Sequence, residues 1–259
     1  MTQRTTLEPG TVTTRVADGI GSVTFGHPKG NSLPGALLAE VAARVNALGQ
    51  DSRVGAIVLR SEGTGAFCAG ASFAELSTIA DVESGTRFFM GFANLINAMR
   101  ECPKLIVGRV QGKVVGGGVG LIAACDYAFA TTAAQVRLSE LAVGIGPFVV
   151  GPVIERKIGV GHYAALAIDA AGWRSAEWGH QRGLYAELYE DLAALDARLT
   201  VVAGQVAASN PEATAALKKV FWQGTEHWPE LLAARARLSG TLVVSDFARR
   251  TIGSVAPRS

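Results

Sequence analysis

The sequence predicts an α/β fold whose C-terminal part is helical. Short β-branched runs alternate with helical periodicities through roughly the first 140 residues. Helical spacing dominates after that. Two glycine-rich loops each follow a β-rich segment and each precede a helix. There is no internal repeat and no low-complexity linker, so one body with a helical appendage fits best. The division expected is a core over residues 1–192 and a helical region over residues 193–259.

The elements follow in order. Thr11–Val16 and Ser22–Phe25 alternate around an Ala-Asp-Gly turn and read as an antiparallel hairpin. His27–Pro34 is a loop. Leu37, Leu38, Val41, Val45 and Leu48 recur at helical spacing, which predicts a helix over Pro34–Gly49 with Pro34 in its first turn. Ala56–Arg60 is a short buried strand, and Ser61–Ser72 is a glycine-bearing loop. Phe88, Phe89, Phe92, Leu95, Ile96 and Met99 mark a helix that Pro103 ends. Leu105–Val110 is a strand. Tyr127–Thr131 and Gln135–Leu138 are read as two more. Gly151–Gly183 is helical and broken by glycines. A long helix follows from Leu192 until Asn210–Pro211 breaks it. Glu212–Trp222, Pro229–Ser239 and a basic tail from Asp246 complete the chain.

Composition narrows the function. The 259 residues can bury a large core without disulfides. A net charge of +2 gives no nucleic-acid footprint. Cys68, Cys102 and Cys125 lack metal-ligand spacing and read as buried small residues in a reducing compartment. No metal site is expected. The first residues, MTQRTTLEPG, have no apolar core and do not read as a signal peptide. The longest candidate span, Val114–Cys125, is 12 residues and too short for a bilayer. A cytoplasmic protein without a membrane partner is expected.

The stretch Lys113–Asp126, KVVGGGVGLIAACD, carries the chemistry. A β-branched run, three glycines and a small-residue apolar segment predict a strand, a tight turn and a buried helix. A helix opening at Gly116–Gly118 aims unpaired N–H groups outward. The second loop, Ala66–Ser72, could supply a converging donor. Two preorganised N–H donors suit a thioester oxygen that gains charge as an enolate forms, each worth on the order of 2.7–4 kcal/mol. Glu140 stands between apolar residues and a glycine-rich turn, a setting that raises a carboxyl pKa and suits it to proton transfer. Position alone equally allows a helix start with Ser139 as the cap. The spacing needed for a dinucleotide site, a phosphate loop or a serine nucleophile elbow is absent.

AFCAGAS (Ala66–Ser72), VQGKVVGGGVGLIAACD (Val110–Asp126) and SELAVGIGP (Ser139–Pro147) occur in this order. Together with HPKGNSL (His27–Leu33) and GLYAEL (Gly183–Leu188), they resemble the crotonase superfamily, the enoyl-CoA hydratase/isomerase enzymes. The resemblance covers nearly the whole chain. It implies a crotonase-like spiral of β-β-α repeats with a helical C-terminal trimerisation region, assembled as a homotrimer or dimer of trimers. It implies an acyl-CoA substrate, with coenzyme A as part of that substrate and no separate cofactor. It places the oxyanion hole at the N–H groups of Ala71 and Gly117. CoA and substrate would contact Lys29, Ala66, Phe67, Ala69, Gly70, Gly116 and Phe148.

The departures matter as much. The hydratases of this superfamily carry two glutamates. One position here is Gly120, and the other corresponds to Glu140. Ser72 replaces the usual aspartate of the first loop, and Phe148 stands where some relatives place a catalytic aspartate. Water addition through two carboxylates is therefore incomplete, whereas a 1,3-proton shift needs one. The resemblance thus implies 3-enoyl-CoA to 2-enoyl-CoA isomerisation with Glu140 as the proton carrier. A hydratase using Glu140 with another acid or water, such as Glu155, stays open. So does a CoA-binding protein with little catalysis.

Overall fold

The computed structural model describes residues 8–255. The leader reading of the first ten residues falls largely on residues 1–7, outside the described residues. A twisted sheet has the order β1 (Thr11–Ala17), β2 (Ile20–Gly26), β3 (Ala56–Ser61), β4 (Leu105–Val110), β6 (Tyr127–Thr131) and β8 (Glu187–Tyr189). Only the β1–β2 pair is antiparallel. Its turn uses Asp18 (φ 52°) and Gly19 (φ 77°), the two left-handed residues that a tight hairpin of this twist requires.

A second, smaller layer stands beyond the C-terminal ends of these strands. Leu33 bridges Ala71, Cys68 bridges Val114, and β5 (Val114–Val115) pairs in parallel with β7 (Val136–Arg137). Val136 in turn bridges Arg174. Each pass of the chain thus crosses the large sheet, then the small layer, then a helix. That path is the β-β-α spiral, and the mixed α/β architecture stands as expected.

Helices cover both faces. α1 (Gly35–Gln50) and α3 (Val82–Glu101) bury their apolar faces in the main core, with Leu38, Val45, Leu95, Ile96 and Met99 wholly enclosed. Burying one such side chain contributes roughly 1.5–3 kcal/mol. Pro34 sits at the N-cap of α1, one step earlier than expected, and has no side chain to cap with. Glu75 supplies the cap instead: its Oε2 accepts from the Gly35 N–H at 2.7 Å. Glu75 lies in the short α2 (Phe73–Leu76), which Ser72 caps. On the other face α8 (Leu192–Ala207) lays Leu195, Leu199 and Ala203 against Val58, Val107 and Phe129.

The central helix α4 (Gly117–Ala124) is buried along its whole length. Its C-terminal end is fixed by Asp126. Asp126 Oδ2 accepts from the Ile106 N–H at 2.7 Å and from Lys218 Nζ at 2.6 Å, and Oδ1 accepts from Trp222 Nε1 at 2.9 Å. Lys218 belongs to α9 (Pro211–Phe221), so this buried pair ties the C-terminal helices to the core. α5 (Gly151–Ile158), α6 (Val160–Ile168) and α7 (Ala176–Gln181) occupy the glycine-broken segment. α10 (Trp228–Val243) lies along α3, and α11 (Asp246–Val255) closes the chain. No helix among the described residues is long and apolar enough to cross a membrane.

Candidate active site

One ladder gathers the site. Val114–Val115 run parallel to Val136–Arg137, and the Gly116 N–H donates to the Arg137 carbonyl at 2.8 Å. Three residues past Arg137 the chain enters a 3-10 turn (Leu141–Val143) with Glu140 at its start. The Val115 N–H donates to the Cys68 carbonyl at 2.9 Å, which lays the loop 66–72 along the other side of β5. The glycine turn, the second loop and Glu140 therefore meet although they are far apart in sequence.

Gly116 makes the turn possible. Its φ is +53°, a conformation that side chains strain to adopt. A methyl group there would also lie 2.9 Å from Glu140 Oε1. α4 then begins at Gly117, whose N–H belongs to the unpaired first turn. At Ala71, both bonds of the bridge run through Leu33: the Leu33 N–H donates to Gly70, and the Ser72 N–H donates to Leu33. Neither the Ala71 nor the Gly117 N–H donates to a protein acceptor among the described residues. Both residues line one cavity, so two unpaired backbone N–H groups belong to its wall.

That cavity has a volume of about 50 Å³. Ala69, Gly70, Ala71, Gly116, Gly117, Glu140 and Phe148 all border it. Glu140 is its only titratable lining residue among those described. Glu140 as a residue keeps partial exposure, yet its Oε2 is sealed and has no hydrogen-bond partner. Burial pushes its carboxyl from the ordinary 4.5 up to about 7, against smaller opposing pulls from nearby backbone N–H groups and from Arg137. Glu140 does open this turn, standing itself at the N-cap where Ser139 is the expected cap, but its side chain makes no cap hydrogen bond and is left for the cavity. A carboxyl balanced near neutrality beside two free donors can take a proton and return it.

Three residues expected at the site stand outside the lining. Lys29 is exposed, with its N–H donating to His27 Nδ1 at 3.2 Å. The Ala66 carbonyl accepts from Asn31 Nδ2 at 2.9 Å and from Gln111 Nε2 at 3.4 Å, which anchors the loop. The Phe67 ring is wholly buried edge-on against Phe25, so its side chain serves the core. Burial pushes the neighbouring Cys68 thiol up to about 12, which removes it as a nucleophile. Glu155 is exposed on α5 and does not border the cavity.

Sequence reasoning missed Val150 and Ser239. Ser239, on α10, is buried and lines the cavity from the C-terminal region. Val150 borders the cavity just before α5, and it meets Gly120. A methyl group on Gly120 would lie 2.5 Å from Val150 Cγ1 and 2.7 Å from Val150 Cβ. The absent side chain at Gly120 is the only trace of this contact in the sequence, and nothing linear names its partner.

The model of the family described as "Enoyl-CoA hydratase/isomerase" matches residues 15–250. The chain belongs to that family. Among curated relatives, methylglutaconyl-CoA hydratase, mitochondrial, of Homo sapiens is 34% identical over 117 residues, or 45% of this chain and 34% of that protein. Ethylmalonyl-CoA decarboxylase of Xenopus laevis is 29% identical over 133 residues, or 50% of this chain and 44% of that one. The matched chain thus spans less than half the length of these relatives. Among solved structures, an enoyl-CoA hydratase from Bacillus halodurans superposes with a TM-score of 0.87 at 20% identity, covering 94% of this chain and 99% of that one, a likeness of fold. A putative enoyl CoA hydratase/isomerase (crotonase) from Legionella pneumophila gives 0.77 at 27% identity, covering 83% of each chain. Membership makes this a hydratase/isomerase-type chain of the crotonase superfamily. These relatives bear different reaction names, so the reaction has to be argued from this member's own residues.

Proposed function

We propose that the protein converts a 3-enoyl-CoA into the 2-enoyl isomer, with Glu140 carrying one proton from C2 to C4. The single observation behind this is Glu140 as the lone titratable group of the cavity among the described residues, with its carboxyl pushed up to about 7. The carboxylate takes the C2 proton. The electron pair delocalises through the former C3–C4 double bond onto the thioester oxygen, and the N–H groups of Ala71 and Gly117 hold that oxygen as it gains charge. The protonated acid then delivers its proton to C4, and the double bond settles between C2 and C3. One group suffices because acid and base act in sequence.

Water addition would require a second group to activate water. No other carboxylate borders the cavity among the described residues. Phe73, Phe89, Phe92 and Phe148 border the cavity and suit an apolar acyl chain. The CoA moiety is assigned to the loop 66–70, and the active form to a homotrimer or a dimer of trimers.

The test is direct. Purified protein is incubated with short-chain 3-enoyl-CoA and 2-enoyl-CoA, as wild type and as Glu140→Gln. Isomerisation that Glu140→Gln abolishes is expected. Hydration at enzymatic rates without isomerisation would instead make the protein a hydratase. CoA binding without turnover would make it a binding protein.

A further inference from the structure

Gly120 lies one turn into α4 and is fully enclosed. The volume its side chain would enter is already occupied by Val150. The contact cannot be relieved by rotating a flexible chain end, because it involves Val150 Cβ, which the backbone fixes. The backbone there is itself held. Tyr163 donates its hydroxyl to the Pro147 carbonyl at 3.2 Å, and the same hydroxyl abuts Gly151, where an added methyl would lie 2.4 Å away. Val150 is therefore clamped between α4, α5 and α6, and it is 4% exposed.

We propose that Val150 determines which reaction the site performs. It fills the position from which α4 could present a second acid, and it lines the acyl cavity with methyl groups where a reacting water would need polar partners. A bound water requires two to four such partners. Besides Glu140, the only side-chain polar groups lining this cavity among the described residues are the hydroxyls of Ser139 and Ser239. With water kept from the β-carbon, the 2-enoyl product is not hydrated, and Glu140 is the titratable lining group among the described residues that can return the proton to C4 of the dienolate. This rests on the isomerase reading above.

The experiment compares the ratio of hydration to isomerisation in wild type, Val150→Ala, Val150→Thr and Val153→Ala. Val153 is buried in α5 away from the cavity and controls for general core loosening. Val150→Thr keeps the shape and adds a hydroxyl, so it covers the case in which Val150→Ala fails to fold. Both Val150 variants are expected to raise the ratio at least tenfold, with Val153→Ala unchanged. Adding Gly120→Glu to Val150→Ala is expected to raise it again. An unchanged ratio in a folded Val150 variant overturns the proposal. Rapid hydration by wild type overturns it too, since nothing is then excluded. Wild type that catalyses neither reaction overturns the isomerase reading alone. In that background, hydration gained by Val150→Ala supports the exclusion, and its absence overturns it.

Discussion

Gly116 and Glu140 are in contact, so that a methyl group on the glycine would lie 2.9 Å from the carboxylate Oε1. The turn that leaves the Gly117 N–H unpaired is thus also the surface against which the proposed base rests. Gly116→Ala should damage both at once. Its φ of +53° adds strain of about 1–3 kcal/mol, and the methyl displaces the carboxylate. The expected outcome is a lower melting temperature and a loss of turnover of about 10²-fold, measured on a short 3-enoyl-CoA.

Glu140→Gln should trade activity for stability. The carboxyl ionises at about 7 in the folded chain against an ordinary 4.5. The folded state holds this proton more tightly, so the stabilising contribution is present below about pH 4.5 and is lost as pH rises through 7. Glutamine carries no such charge. At pH 8 the variant should be more stable than wild type by about 1–3 kcal/mol, a range set below the full shift because the residue is partly exposed. Near pH 4 the gap should close. Urea denaturation at the two pH values checks this.

The same ionisation governs rate. The base must be a carboxylate in the free enzyme, so kcat/KM should rise with pH through about 7 and then level off. A profile already flat from pH 5 would show that another group takes the proton.

The oxyanion assignment has its own probe. A methyl group on Gly117 would lie 2.2 Å from Phe92 Cε1, so Gly117→Ala must push the turn or the ring aside. A fall in kcat of about 10²–10³-fold is expected, the usual cost of losing one such donor. Retained cooperative unfolding would separate this from collapse of the fold.

Asp126→Ala would leave Lys218, with a side chain only 3% exposed, without its carboxylate. Removing one partner of a buried pair costs about 3–5 kcal/mol. Lys218→Met in the same chain should recover much of this. Trp222, whose indole N–H also donates to Asp126, offers a fluorescence signal for the docking of α9.

Much of the fold is written in local patterns. The Ala-Asp-Gly turn, the helix carrying Phe88 and Phe92, and the order of strand, glycine turn and buried helix around Gly116 are all legible. The small layer is not. Gln135–Leu138 reads as a strand and Val136–Arg137 form one, but the partner Val114 is set by tertiary pairing, and two-residue strands carry no periodicity. Glu187–Tyr189 joins the sheet edge although no strand is expected from the sequence between Gly183 and Leu192. At the site, the carboxylate of Glu140 and the glycine at position 120 are both plain in the sequence. Val150, which fills the vacated space, is an ordinary valine in the sequence. Only the packing of α5 on α4 gives it a role.

In the proposed mechanism one carboxylate, Glu140, performs both proton transfers. A 3-enoyl-CoA deuterated at C2 tests it under single turnover in ordinary water, with the product read by mass spectrometry and NMR. Glu140, with its Oε2 shielded from solvent, should deliver part of the label from C2 to C4 of the 2-enoyl product, and Glu140→Gln should form no product. Product whose C4 proton comes entirely from solvent, formed equally well by Glu140→Gln, would contradict it.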